Sequence, residues 1–200
     1  MLAVARTSRR LLTLVAAAAL PAAAHAQVID FDDIPTQGYQ QLDMYNGFTW
    51  ANMFVLRAGT SFAPVAAASS PNVIFPGFGA LSGFSPTAGG TFTLGSIDFT
   101  QWAPFGGSPA PSTTVTGLLA GVQLFQTTVA LGPSYATTVF NWTGIDQVTL
   151  DQGGAGWFAA DNVVTNIVSS GPVTSTPEPA TYALVAGGLV ALGIVRRRRV

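Results

Sequence analysis

Apolar and polar residues alternate with a period of two through the middle of the chain, and this pattern predicts β-strands. Such runs occupy residues 48–56, 91–94, 97–100, 121–124, 138–143, 145–150 and 157–168. Four large side chains of the first run occupy even positions: Phe48, Trp50, Phe54 and Leu56. Uniform alternation places all four on one face of that strand. Glycine and proline pairs separate the runs, so we predict an all-β fold, an antiparallel β-sandwich.

The N-terminal end follows a different pattern. The first ten residues contain three arginines, the next ten are apolar, and Ala24-His25-Ala26 supplies small residues at the positions that a signal peptidase reads. This arrangement predicts a secretory signal peptide with a signal helix over residues 1–26, cleaved between Ala26 and Gln27. The expected partners at this end are the secretion machinery and signal peptidase.

The C-terminal end combines three features in a fixed order: Pro177-Glu178-Pro179, an apolar run at 181–195 and four arginines at 196–199. Proline keeps the triplet extended, because it fixes φ and disfavours helix in the residue before it. The apolar run predicts a short transmembrane helix, and the arginines predict its cytoplasmic end. A permanent tail anchor is the alternative, although the run's 15 residues are fewer than the roughly 20 that a bilayer core requires.

This layout resembles the PEP-CTERM sorting signal of Gram-negative bacteria that make extracellular polysaccharide, and the resemblance covers residues 177–200. It implies that exosortase, a membrane transpeptidase, cleaves near the triplet after residues 181–195 insert transiently into the inner membrane. It also implies export across that membrane to the cell surface or the extracellular space. The short apolar run fits a transient role better than a lasting anchor.

Between the two ends, the sequence predicts one β-sandwich domain at 27–168 and a Ser/Thr/Pro/Gly linker at 169–176. Together they carry one cation, Arg57, against eight aspartates, a net charge of −7. A surface with one cation cannot neutralise phosphates, which argues against nucleic acid as a partner. The chain has no cysteine, so disulfides and thiol chemistry are excluded.

Residues 140–150 and 157–163 resemble the closing strands of jelly-roll, carbohydrate-binding-like sandwiches. Residues 29–33 and 45–50 resemble the start of many exported PEP-CTERM domains. In such sandwiches the first and last strands are often neighbours, and a structural Ca²⁺ can bridge the termini. The resemblance thus implies calcium as the one candidate cofactor. Its candidate ligands, chosen because calcium prefers carboxylate and carbonyl oxygens, are Asp32, Asp33, Asp161 and Asn162. The alternative is that these residues end strands and cap turns.

Six aromatic residues of the domain are candidates for stacking against sugar rings: Tyr39, Tyr45, Trp50, Trp102, Trp142 and Trp157. An aromatic ring can pack on the apolar face of a sugar while its polar edge bonds to hydroxyl groups. Trp102 lies beside a segment rich in proline and glycine at 103–112, so we expect it to be the most exposed of them. The alternative is that these side chains pack in the core.

Catalytic side chains are nearly absent from the domain. The only histidine, His25, and the only glutamate, Glu178, lie in the targeting ends, and the chain has no lysine. A Ser-His-Asp triad, a lysine base and a histidine-ligated metal are therefore excluded, and we expect no enzyme. Three functions stay open: a matrix protein that associates with extracellular polysaccharide, a structural surface protein without a ligand, and a glycosidase that uses two aspartates.

Overall fold

The computed structural model of the protein describes residues 26–60, 66–77, 81–103, 107–152 and 156–168. Within these ranges the chain forms eleven strands and no helix, which confirms the predicted all-β fold. The strands are β1 (Gln27–Ile29), β2 (Tyr39–Tyr45), β3 (Phe48–Arg57), β4 (Asn72–Pro76), β5 (Ser82–Pro86), β6 (Thr91–Trp102), β7 (Ser112–Leu119), β8 (Val122–Ala130), β9 (Ala136–Ile145), β10 (Gln147–Asp151) and β11 (Trp157–Val168).

The segments predicted to direct export and sorting lie outside the described ranges. They are the signal peptide apart from Ala26, the linker at 169–176, and the sorting signal at 177–200. In the part of the chain that the structure describes, no helix is long and apolar enough to span a membrane.

The eleven strands join one antiparallel sheet, whose order is β8-β7-β10-β5-β3-β4-β11-β6-β9. Strand β1 pairs with β11, and β2 pairs with β3, outside this path. The sheet folds over on itself, so that its two ends approach each other. Phe125 of β8 stacks on Trp142 of β9, with ring centroids 5.4 Å apart and planes 11° from parallel. The result is a sandwich-like antiparallel fold, as the strand pattern predicts.

Strand β3 connects the two halves of the sheet. Residues 48–51 pair with β5, and residues 53–57 pair with β4. Asn52 lies between these parts with a positive φ of 51°, and its backbone oxygen accepts hydrogen bonds from the Gly77 N–H at 2.7 Å and the Ser82 hydroxyl at 2.8 Å. The pairing with β2 is also shifted beside this residue. A bulge of this kind bends a strand and interrupts its alternation.

The bulge corrects the prediction that four large side chains of β3 share a face. Phe48 and Trp50 are buried in the main core, whereas Phe54 and Leu56 lie on the opposite face of the sheet. Uniform alternation fails here because Asn52 adds one residue between the two paired parts.

Two apolar clusters lie on opposite faces of β3, β4 and β11. The larger one, here the inner core, includes the buried rings of Phe31, Phe48, Trp50, Phe84, Phe92, Phe99 and Phe158. The smaller one, here the outer cluster, comprises Leu56, Val73, Phe75, Trp102 and Ala159, with Phe54, Ala58, Ala67, Tyr135 and Trp157 packed at its margin. Val55, Ile74 and Ala160 belong to the inner core although their chain neighbours belong to the outer cluster.

The four tryptophans take different positions in this arrangement. Trp50 and Trp142 belong to the inner core, and Trp157 is partly buried at the margin of the outer cluster. Trp102 is only 4% exposed, so the expectation that it is the most exposed of the six aromatic candidates is wrong. The adjoining segment does not leave it open, because Phe75 packs edge-on against its ring at 4.8 Å.

Candidate functional site

The first and last strands of the domain are neighbours, as the jelly-roll resemblance implies. Strand β1 pairs with β11 in antiparallel register, with Gln27 opposite Thr165. After β1 the chain turns at Phe31, which has a positive φ of 61° and a fully buried side chain. Burial of this ring fixes the segment that follows, so Asp32 reaches the start of β4.

A group of polar side chains ties this N-terminal segment to β4 and β11. We call it the polar corner, and it comprises Asp32, Ser69, Asn72 and Asp161. The side-chain amide of Asn72, which is 1% exposed, donates to the backbone oxygens of Phe31 at 2.7 Å and Ile34 at 2.9 Å. Its backbone N–H donates to Asp32 Oδ1 at 3.0 Å. These bonds fix the turn, because buried polar groups are stable only with partners.

Asp161 is the buried carboxylate of the polar corner and has no exposed surface. Its Oδ2 accepts the Ser69 N–H at 2.8 Å, and its Oδ1 accepts the Asn162 N–H at 2.8 Å. Burial raises the pKa of Asp161 to about 6, these hydrogen bonds oppose the rise, and the charge of Asp32 adds to it. The carboxyl that holds the segment before β4 therefore changes its charge near pH 6.

Asn162 has a positive φ of 47° and lies where the pairing between β11 and β6 shifts register. Its side-chain amide donates to Asp98 Oδ2 at 2.9 Å, and the Thr137 hydroxyl donates to Asp98 Oδ1 at 2.5 Å. The hydroxyl of Tyr135 is buried and has no hydrogen-bond partner among the residues that the structure describes. Burial raises the pKa of Tyr135, and the charges of Asp161 and Asp98 raise it further. Tyr135 therefore stays neutral.

Asp33 contacts a different part of the molecule. Its Oδ1 accepts a hydrogen bond from the Tyr45 hydroxyl, and burial together with this bond raises the pKa of Tyr45. Asp32 and Asp33 line a cleft of about 270 Å³ whose wall also includes Arg57. The cleft therefore brings the domain's only cation beside two of the predicted calcium ligands.

The four predicted calcium ligands are only partly brought together. Asp32 and Asp161 meet at the polar corner, whereas the side chains of Asp33 and Asn162 bond to partners outside it. Among the residues that the structure describes, no group of three or more His, Cys, Asp or Glu side chains is arranged to hold a metal ion. Calcium takes about six to eight oxygens, so a site here would depend on backbone oxygens. Calcium binding stays a prediction.

Five aromatic rings form a continuous group on the outer face, which we call the outer aromatic group: Tyr39, Phe54, Phe75, Trp102 and Trp157. Phe54 stacks on Phe75 with centroids 5.5 Å apart, and Tyr39 meets these rings edge-on at 6.1 and 6.4 Å. Trp157 lies 6.1 Å from Phe75 and 6.2 Å from Trp102. Tyr39 is 52% exposed, and Phe54 and Trp157 are partly buried, so one side of the group faces solvent.

The sequence pattern names Tyr39, Trp102 and Trp157 as aromatic candidates but not Phe54 or Phe75. Uniform alternation assigns Phe54 to the inner face, and the bulge in β3 reverses that assignment. The signal for Phe75 is the uninterrupted apolar run at 73–75. Such a run is typical of a strand with apolar side chains on both faces.

Comparison with known proteins identifies the C-terminal segment. A family model described as the PEP-CTERM protein-sorting motif matches residues 175–199. This match confirms the sorting signal predicted at 177–200. It indicates an exported protein that is processed by exosortase and sorted to the cell surface.

No curated protein matches the chain. Among solved structures, the chain is similar to the Stig cyclase Fisc from Fischerella sp. TAU, solved in complex with (3Z)-3-(1-methyl-2-pyrrolidinylidene)-3H-indole. The sequence identity is 15% and the TM-score is 0.48, over 71% of this chain and 98% of that chain. Similarity at this level gives no information about the activity of this chain.

Proposed function

We propose that the protein is a non-catalytic component of the cell surface or extracellular matrix of a Gram-negative host, where its β-domain associates with extracellular polysaccharide. The sorting motif at residues 175–199 supports the delivery. The jelly-roll, carbohydrate-binding-like character inferred from the sequence belongs to this proposal.

The outer aromatic group is the observation that carries the proposal. Its solvent side presents the ring of Tyr39, which is 52% exposed, together with the partly buried rings of Phe54 and Trp157. Contiguous rings of this kind offer an apolar surface that fits the apolar faces of sugar rings. An isolated exposed aromatic residue would not indicate a polysaccharide-binding surface, whereas neighbouring rings can contact successive sugars of one chain.

Charge favours a neutral polysaccharide over an anionic one. The domain has eight aspartates and a single arginine, so an anionic chain would meet repulsion over most of the surface. The outward positions of β7, β8 and β10 instead carry hydroxyl and amide groups: Thr114, Thr116, Gln126, Thr128, Gln147 and Thr149. Such groups exchange hydrogen bonds with sugar hydroxyls without a charge.

The residues available for chemistry favour a binding role over catalysis. The domain has no histidine, lysine or cysteine, and the Asp161 carboxyl is buried under hydrogen bonds from Ser69 and Asn162. The glycosidase alternative requires two carboxyls separated by a sugar-binding gap. Asp32 and Asp33, the two acidic residues of the cleft beside Arg57, are instead adjacent in the chain.

A structural role without a ligand is the second candidate, and the burial of Trp50, Trp102 and Trp142 favours it. Pull-down of the full chain with insoluble neutral polysaccharides, namely cellulose, chitin and curdlan, separates the two functions. We expect Tyr39→Ala to weaken binding about three- to tenfold, the effect of losing one stacked ring. Val139→Ala is the matched control, because Val139 is 65% exposed and outside the outer aromatic group. Absence of binding to all three polysaccharides would leave the structural role.

A further inference from the structure

Strand β8 forms one edge of the sheet. It lies at the end of the strand order and, within the described residues, pairs only with β7. All of its residues are exposed except Phe125, which is partly buried, and Val129, which is buried. Residues 125–130 pair with residues 112–117 in unbroken register. The edge therefore presents a regular row of backbone groups to solvent.

The sequence around this edge lacks the charged residues and prolines that usually prevent an edge strand from pairing with another chain. Residues 112–145 contain no aspartate, glutamate, lysine or arginine, and residues 122–130 contain no proline. Natural edge strands are protected by charges, prolines, bulges or short length. Strand β8 has nine residues, and its one bulge against β7 lies at Leu124, so residues 125–130 stay regular. Most of the strand is therefore open to pairing.

Exposed apolar side chains are concentrated at the same edge. Val122 is 63% exposed, Leu124 is 46% exposed, and Leu119 at the end of β7 is 38% exposed. Apolar side chains gathered at an unprotected edge are typical of a surface that another chain covers.

We propose that β8 pairs with β8 of a second copy of this chain, antiparallel, across a two-fold axis at Gln126. Such an interface is self-complementary, because each surface meets its own copy. In this register Gln126 opposes Gln126, and Phe125 opposes Thr127, within the regular part of the strand. A charge near the axis would face its own like charge, which destabilises a strand pair. Strand β8 contains no charged residue, so two copies can pair without this repulsion.

The rest of the domain argues for this edge over others. The eight aspartates give the domain a net charge of −7, so two copies repel each other at most relative orientations. Strand β2, which pairs with β3 at another edge, carries Asp43. Strand β9, at the other end of the sheet, is also uncharged, but it is less regular than β8 because its register against β6 shifts twice. Asp146 lies at the turn before β8, where its Oδ2 accepts the Ala120 N–H at 2.8 Å. Neither aspartate lies at the proposed axis.

A unique cysteine tests the register directly, because the chain contains no cysteine. Gln126→Cys places two thiols opposite each other on the two-fold axis, where Cβ atoms about 4.5–5.5 Å apart can approach disulfide distance. Under mild oxidation of the full chain in a neutral detergent, we expect at least tenfold more disulfide-linked dimer than for Gln40→Cys. Gln40 is the matched control, since it is an exposed glutamine on strand β2. Equal cross-linking of the two variants would overturn the proposal.

Sedimentation of the same full chain tests the interface without a cross-link. Gln126→Lys with Thr128→Lys places like charges across the axis, so we expect the dimer dissociation constant to rise at least tenfold. The melting temperature, measured at a concentration where the chain is monomeric, should be unchanged. The control pair Gln40→Lys with Gln41→Lys adds the same charge to exposed positions of β2 and should leave dimerisation intact. A monomeric wild-type chain, or equal loss of dimer in both lysine pairs, would overturn the proposal. Polysaccharide binding should be independent, because β8 contributes no ring to the outer aromatic group.

Discussion

The inner core and the outer cluster lie on opposite faces of the same strands, but the indole N–H groups of Trp50 and Trp102 differ in their hydrogen bonding. The Trp50 N–H of the inner core donates to the Tyr45 backbone oxygen at 3.2 Å. Within the described ranges, the Trp102 N–H of the outer cluster is buried without an acceptor, and the hydroxyl of Tyr135 at the cluster's margin is buried without a partner. The inner core is sealed between two halves of the sheet, whereas the margin of the outer cluster is partly open to solvent.

This difference indicates that the two clusters contribute differently to the protein. A buried donor or acceptor without a partner costs about 1–3 kcal/mol, so the outer cluster stabilises the fold less than its buried rings alone suggest. The inner core holds the two halves of the sheet together. The outer cluster keeps aromatic rings in fixed positions at the surface, as the proposed polysaccharide site requires.

The largest expected effect comes from a matched pair of core substitutions. Phe48→Ala removes a fully buried ring that contacts Phe84 and Phe92 in the inner core. We expect its free energy of unfolding to fall by about 3–5 kcal/mol. Phe75→Ala in the outer cluster should cost roughly 1 kcal/mol less, because the partly buried Phe54 and Trp157 can move into the cavity. Urea unfolding measures both values, and an equal or larger cost for Phe75→Ala would contradict the comparison.

A smaller effect is expected from the pH dependence of the polar corner. Burial raises the pKa of Asp161 from its ordinary 3.8 to about 6, so the folded protein binds this proton more tightly than the unfolded chain. The resulting stabilisation is complete below pH 3.8 and is lost as the pH rises through 6. Asp161→Asn should remove a decline on the order of 1–3 kcal/mol between these limits.

Urea unfolding of both proteins at several pH values between 4 and 7 isolates this group, because the other titrating residues contribute to both curves. Parallel curves for the wild type and Asp161→Asn would show that the folded state does not retain the Asp161 proton. They would also remove the basis for treating the polar corner as a site that responds to pH.

The smallest expected effect is that of chelation. Because the side chains of Asp33 and Asn162 bond away from the polar corner, a calcium ion there would have two carboxylate ligands at most, and we expect EDTA to lower the melting temperature only slightly. Added Ca²⁺ at a concentration of 100 times its Kd would instead stabilise a calcium-binding protein by about 2.7 kcal/mol. A rise in melting temperature that calcium produces and EDTA reverses would establish calcium binding, and loss of that rise in Asp161→Asn would place the ion at the polar corner.

Part of the candidate site could be predicted from the sequence. The adjacency of the first and last strands brings Asp32 and Asp161 to one corner, as the jelly-roll resemblance implies. The partner of Asp161 could not be predicted, because Ser69 lies 92 positions earlier in the chain, in a segment without a periodic pattern. The outer aromatic group could be predicted only in part from the sequence, because the bulge at Asn52 places Phe54 on the opposite face of the sheet from the one that alternation predicts.

Local patterns and composition were enough to predict the all-β class, the sorting signal and the cation-poor domain. These properties depend on local alternation, on the order of proline, apolar and basic segments, and on composition. None of them requires knowledge of contacts between distant residues. Three further features arise only when the chain folds: β3 joins both halves of the sheet, Trp102 is buried, and β8 is an open edge. Each of these depends on which distant strand lies alongside, and local alternation has no information about that partner.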